Sequence, residues 1–237
     1  MADSARPMKR FYKLAAPAPG EGGVAILLDG RPVKTPARRP LAVPTEELAD
    51  AIAAEWNGQG ETVDPRSMPL TGLANAAIDR VAPDPASFAT TLAAYGETDL
   101  LCYRSEGPAE LVRRESVSWD ALLGWARLRF DIEFEVAEGV MHRAQPARTV
   151  EQLGKAVAAR DPFRLAALSP LVTIGGSLVA ALAVVEEETT AEGAWEAVAV
   201  DESWQLEKWG EDAEARTALD NRRRDFLAAA RFLSLLD

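Results

Sequence analysis

The sequence predicts an α+β protein: a small β-rich N-terminal domain over residues 6–72, then a larger, mainly helical, orthogonal bundle-like domain over residues 73–237. Three observations carry that expectation. The apolar runs before residue 44 are short and separated by Pro and Gly turns, as hairpin strands are. From residue 45 onward apolar residues recur at three- and four-residue spacing behind Thr, Asp and Pro start signals. With 237 residues and 48% hydrophobic composition, the chain can bury one large core or two small ones.

Taken in order, Phe11 to Leu14 reads as a strand and Pro17 to Gly23 as a loop. Val24 to Leu28 is a second strand, turned by Asp29-Gly30, the dipeptide that favours a type I′ hairpin. Pro32 to Thr35 returns, and Leu41 to Val43 adds a short strand before Pro44. Thr45 caps a helix with Glu46 and Glu47 in its first turn and Leu48, Ile52 and Trp56 on its apolar stripe, ended by Gly58. Thr71 is placed as the cap of a helix running through Val81. Asp84-Pro85 starts another, with Phe88, Leu92 and Tyr95 inward. Pro108 opens a long helix containing Leu111, Trp119, Leu122 and Trp125. Phe130 to Val136 alternates with period two, so it is a strand or an extended arm.

Thr149 caps the next helix and Asp161-Pro162 starts a short one. Ala166 to Val185 has no charge over about the length of a membrane span. Ser169-Pro170, Thr173 and Gly175-Gly176 interrupt it, and Pro170 reads as the first residue of a shorter buried helix capped by Ser169. A closing helix runs from Asp212 to Leu236, with Ala215, Leu219, Phe226 and Leu233 inward.

The stretch Thr189 to Ala215 organises the second half. As one helix it puts Trp195, Val198, Ala199, Leu206 and Trp209 on a core-facing stripe, with Glu202 in the middle. A carboxylate there needs a partner, for which Arg80 and Arg104 are candidates, and its removal should cost about 3–5 kcal/mol. Trp204 points the opposite way, so this is either a helix wedged between two layers or an exposed Trp among carboxylates, as at a protein-binding hot spot.

Charge placement narrows the function. The formal net charge is −11. Residues 186–215 carry eleven acids against Lys208 alone, while residues 1–40 are net positive. An acidic chain argues against nucleic acid as the main partner. The single cysteine, Cys102, excludes an intrachain disulfide and a cysteine metal cluster, and the single histidine, His142, excludes a His-rich zinc site. No Walker A sequence, GxGxxG between strand and helix, GxSxG or HExxH occurs, and no cofactor is expected. Asp201/Glu202 and Glu211/Asp212 are carboxylate pairs, but they sit in a general acidic field. They support at most an alternative in which a small-substrate enzyme uses a carboxylate pair in an inter-domain cleft. Glu97-Thr98-Asp99 suits a hydrogen-bonded structural role or a partner contact. The N-terminus has no apolar leader and no long Arg/Ser-rich amphipathic presequence, which reads as a cytoplasmic protein. The small-residue interruptions in Ala166 to Val185 add the expectation of no membrane insertion and of a monomeric or weakly self-associating chain.

Several segments carry more than their spacing. They are Arg10 to Lys13 (RFYK), Leu28 to Pro36 (LDGRPVKTP), Met68 to Thr71 (MPLT) and Leu73 to Arg80 (LANAAIDR). With them go Tyr95 to Arg104 (YGETDLLCYR), Trp119-Asp120 with Trp125 following, and Glu202 to Gly210 (ESWQLEKWG). In this order, over nearly the whole chain, they resemble the assembly chaperone that binds the α subunit of the F-type ATP synthase catalytic sector in mitochondria and their bacterial relatives. Ala76, Glu115 and Ala121 depart from that pattern, where relatives often carry Thr, Gln and Pro. The resemblance implies a non-enzymatic holder of the unassembled α subunit, and a bacterial cytoplasmic location for this member. It implies partner-binding residues among Glu202, Trp204, Gln205 and Trp209, with Glu211, Asp212 and Glu214 as the candidate acids after Gly210.

Overall fold

Asp29 and Gly30 both take positive φ, 47° and 80°, which is the type I′ turn their identities favour. The turn joins strand β3 (Gly23–Leu28) to β4 (Arg31–Pro32) in a computed structural model that describes residues 8–210 and 212–237. Strand β2 (Ala15–Gly20) pairs antiparallel with all of β3, from Ala15↔Leu28 to Gly20↔Gly23. The stretch expected as a loop from Pro17 is therefore mostly strand. Pro17 and Pro19 are tolerated because β2 is an edge, where alternate N–H positions have no partner to serve. Strand β5 (Ala42–Val43) pairs with the other side of β3. A Cβ on Gly23 would stand 2.3 Å from the Val43 carbonyl oxygen, so only glycine fits that crossing.

Phe11 to Leu14, expected as a strand, joins no ladder. Its backbone is held instead by Asp29, whose carboxylate accepts the N–H groups of Lys13 and Leu14 at 2.9–3.1 Å. Those bonds hold the Asp29 carboxyl below its ordinary value. Strand β1 (Met8–Lys9) pairs with β6 (Thr62–Val63).

Helix α1 (Glu46–Asn57) is capped by Thr45, whose Oγ1 accepts the Leu48 N–H, and it lays Leu48, Ile52 and Trp56 on the sheet. Asn57 clips the two together through the N–H and C=O of Ala15, both at 2.8 Å. Helix α2 (Pro69–Ala76) begins two residues before the expected Thr71 cap, and continues as a π turn over Ala77–Val81. Glu55 does the capping there: its carboxylate accepts from the Leu70 N–H, the Thr71 N–H and the Thr71 hydroxyl, which leaves Thr71 buried. Helix α3 (Pro85–Ala93) follows its Asp84 cap.

Short 3₁₀ turns lead to β7 (Tyr103–Arg104), which pairs in parallel with β8 (Ala137–Glu138), and between them runs helix α4 (Ala109–Phe130). Ile132 and Phe134 alternate inward without a ladder, and the Gln145 side chain holds that arm through the N–H and C=O of Glu135. Helix α5 (Ala147–Ala158) starts before Thr149, which is buried and donates to the Glu133 carbonyl instead of capping.

The uncharged run becomes two helices, α6 (Pro162–Gly175) and α7 (Leu178–Val185), separated by Gly176 at φ 69°. Pro170 lies inside α6, and the caps are Asp161 and Ser177, not Ser169. Among the described residues no helix is long and apolar enough to cross a membrane. Helices α8 (Ala191–Val198), α9 (Val200–Trp209) and α10 (Ala213–Ser234) complete the chain. Helix occupies 61% and strand 11%, the α+β balance expected. Apolar packing runs unbroken from Ile26, Val43 and Ile52 through Leu70 and Ala74 to Trp119, Leu171, Phe226 and Phe232.

Candidate protein-binding surface

The acidic stretch is two helices, and Trp119 explains why. In a continuous helix the Ala197 carbonyl would accept the N–H of Asp201. Here the Trp119 indole, fully buried on α4, donates to that carbonyl at 2.7 Å. Ala199 takes φ −100°, ψ 13°, and α9 sets off in a new direction across α4.

This break changes which tryptophan faces water. Trp195, Val198 and Ala199 are buried, as the one-helix reading requires. Beyond the break the phase is different: Trp204, expected outward, is only 9% exposed, and Trp209, expected inward, is 84% exposed. Lys208 Nζ lies 6.0 Å from the centre of the Trp204 ring and also pairs with Glu110 at 2.7 Å. Arg114 bridges Glu110 and Glu207 at 3.0 and 2.8 Å, so a surface ion network fastens α9 to α4.

Glu202 has its ion partner, but not the expected one. Arg222 on α10 reaches it at 2.8 Å, donates to the Ile174 carbonyl and lies over the Trp195 ring. Arg104 instead pairs with Asp120 and stacks on Trp119 at 4.8 Å, and Arg80 is exposed. Because the Glu202 and Arg222 side chains are 40% and 42% exposed, the pair contributes about 0–1 kcal/mol, not the cost of a buried ion pair.

The remaining site residues fall as follows. Glu202, Gln205 and Trp209 lie at i, i+3 and i+7 on one face of α9, with Gln205 exposed. Asp212 caps α10 by accepting the Glu214 N–H at 2.9 Å, and Glu214 is exposed in its first turn. Glu211 lies outside the described residues. Ser203 and Leu206 of α9, Gly210 just after it and Leu219 of α10 line a cavity of about 500 Å³. With Glu192 and Glu196 exposed on α8, the region is an acidic surface carrying one uncovered tryptophan.

Beneath this surface lies an acid pair that the sequence reading did not join. Glu115 on α4 is fully buried and accepts from the N–H and hydroxyl of Ser105. Asp201 on α9 has a buried Oδ1 without a donor. Burial, then the Glu115 carboxylate and its contact, and then Glu202, push the Asp201 carboxyl up to about 6. The signal was present: Glu115 stands where the resembled family often has Gln, whose amide can donate.

A carboxyl raised from 3.8 to about 6 binds its proton more tightly folded than unfolded, so its contribution is present below pH 4 and lost as pH rises through 6. Glu115→Gln is therefore expected to stabilise the protein at pH 8 by about 1–2 kcal/mol, discounted for the half-exposed Asp201, and much less at pH 4.5. Urea midpoints at both pH values check it, and an equal effect at both would refute the raised Asp201 carboxyl.

Neither acid lines any of five surface cavities of about 410–790 Å³. Burial and the Asp99 charge push the Cys102 thiol up to about 12, the condition of an unreactive cysteine. His142 is exposed, its Nδ1 3.2 Å from the Tyr103 hydroxyl and its Nε2 3.5 Å from Glu97. Among the described residues, no three His, Cys, Asp or Glu side chains cluster as a metal site would.

Comparison with known proteins extends over the whole of this architecture. Residues 9–127 match the family model described as ATP12 chaperone protein, a match that ends within α4 and leaves the acidic surface outside it. The mitochondrial protein atp12 of Schizosaccharomyces pombe is 25% identical, with 95% of this chain and 82% of that one covered. The crystal structure of Atp12 from Paracoccus denitrificans superposes with a TM-score of 0.91 at 41% identity, covering 97% of this chain and 99% of that one. A chaperone candidate of Agrobacterium tumefaciens gives the same TM-score and identity, covering 97% and 86%.

Proposed function

Because the chain belongs to the ATP12 chaperone family, we propose that it is an assembly factor for the F-type ATP synthase that holds the unassembled α subunit until it enters the catalytic sector. The reading is of a binding protein without catalytic activity, working in the compartment where its client is made. The α subunit as client comes from the resemblance that the segments from Arg10 to Gly210 carry together. The observation that carries the role of that segment is Trp209, a large ring 84% exposed on an acidic surface.

An unassembled subunit exposes interface area that a holder must cover reversibly. A tryptophan supplies the anchor, and the carboxylates steer a basic client face during encounter. Glu202, Gln205, Trp209, Glu211, Asp212 and Glu214 are the proposed contact residues. Trp204, on the underside of α9, supports them without touching the client.

Trp209→Ala should leave the melting temperature unchanged and weaken client binding by about thirtyfold, roughly 2 kcal/mol. Raising the salt concentration should slow association more than it speeds dissociation. The check is α-subunit aggregation together with binding kinetics; full suppression by the folded mutant would reject the surface.

A further inference from the structure

We propose that the N-terminal module holds a second, separate binding groove, for a short apolar polypeptide segment flanked by acidic side chains, built where the exposed Phe11 and Met8 meet the unpaired cations Arg31 and Lys34. The groove is a cavity of about 650 Å³, within the range of ligand sites, walled by Met8, Phe11, Leu28, Val33 and Trp56. Its apolar surface is open: Phe11 is 66% exposed and Met8 49%. Phe11 is the outer rung of an edge-to-face series, its ring 5.4 Å from Tyr12, which stands 5.6 Å from Trp56. The Tyr12 hydroxyl donates to the Trp56 carbonyl at 2.7 Å, so the wall behind Phe11 is fixed. The indole N–H of Trp56 has no acceptor among the described residues.

Charge selects the occupant. Arg31 and Lys34 line the groove, are exposed, and have no ion partner among the described residues. Asp29, the one acid among the described lining residues, is already engaged by the N–H groups of Lys13 and Leu14. Over residues 8–40 seven Lys and Arg face two acids, Glu21 and Asp29. An apolar floor under a positive rim complements apolar side chains followed by carboxylates, the opposite of what the acidic surface on α8–α10 would take. The choice of a polypeptide rests on the holding-chaperone reading; the groove and its charge preference do not.

Fluorescence polarisation on the full chain tests this, with a labelled peptide of Leu and Phe residues flanked by glutamates and a counterpart flanked by lysines. The glutamate peptide should bind at least about tenfold more tightly, and Arg31→Glu with Lys34→Glu should remove that preference at an unchanged melting temperature. Phe11→Asp should abolish binding of the glutamate peptide, whereas a lysine peptide held by the acidic surface on α8–α10 should be unaffected. Equal binding of the two peptides, or binding of neither, overturns the proposal. So does concentration-dependent self-association that Phe11→Asp and Trp209→Ala each abolish, which would give the groove to a second copy. α-Subunit aggregation is measured beside it: failure of the unmodified protein to suppress aggregation, with the peptide preference intact, refutes the client and not the groove.

Discussion

Trp204→Ala is expected to destabilise the protein by about 3 kcal/mol, and to lower client holding only in proportion to the unfolded fraction. The ring is 9% exposed, and removing a buried aromatic ring costs about 3–5 kcal/mol with the cavity it leaves. The lower end applies because Trp204 is buried beside the continuous apolar cluster and not within it, in the single layer between α9 and α4. Trp204 Nε1 has no acceptor, so truncation sacrifices no hydrogen bond. What is lost is packing, together with the Lys208 contact at 6.0 Å. The exposed network of Lys208, Glu110, Arg114 and Glu207 cannot replace it, since solvent screens such surface pairs. The damage should therefore be local at first. Hydrogen exchange should show α9 opening before α10, and the chemical-denaturation midpoint should fall. An unchanged midpoint would show that α9 does not need the ring.

Much of the fold was legible in single residues whose conformational demands are strong. Asp29-Gly30 announced its turn, Thr45, Asp84, Asp161 and Asp212 announced helix starts, and Leu48, Ile52 and Trp56 announced a buried stripe. Errors gathered where a distant group took over a local role. Glu55 caps α2 in place of Thr71, Glu133 draws Thr149 away from a cap, and Trp119 takes the carbonyl that would have kept α8 and α9 one helix. That last substitution reversed the roles of Trp204 and Trp209. A helical wheel assumes an unbroken axis, and the indole donor that broke this one is 78 residues from its acceptor in the chain. The acidic character of the surface survived the error because it depends on composition and not on phase.

Asp99→Ala is the other large loss, expected at about 3–5 kcal/mol. Sequence left Asp99 between a structural role and a partner contact; at 0% exposure it touches no partner. Its Oδ1 accepts the Leu101 N–H at 3.0 Å, and its Oδ2 accepts the Val179 N–H at 2.9 Å. It therefore caps a 3₁₀ turn in its own segment and supplies a carboxylate to the N-terminus of α7, which Ser177 caps in parallel. Burial pushes the carboxyl up, and the N–H groups of Val179, Leu101 and Leu178 with the Ser177 hydroxyl pull it back. Alanine removes every acceptor at once and leaves at least two buried N–H groups unpaired, at about 1–3 kcal/mol each. It also releases the contact by which the Tyr95 to Arg104 segment is fastened to α7. Asparagine separates shape from chemistry, since it keeps one acceptor oxygen but turns an NH₂ donor toward the other N–H. It should fall between wild type and alanine, and its residual loss measures how much the second oxygen contributes. Guanidinium midpoints of the three proteins decide the matter; an alanine variant as stable as wild type would mean that water satisfies those N–H groups and that Asp99 does not join the two segments.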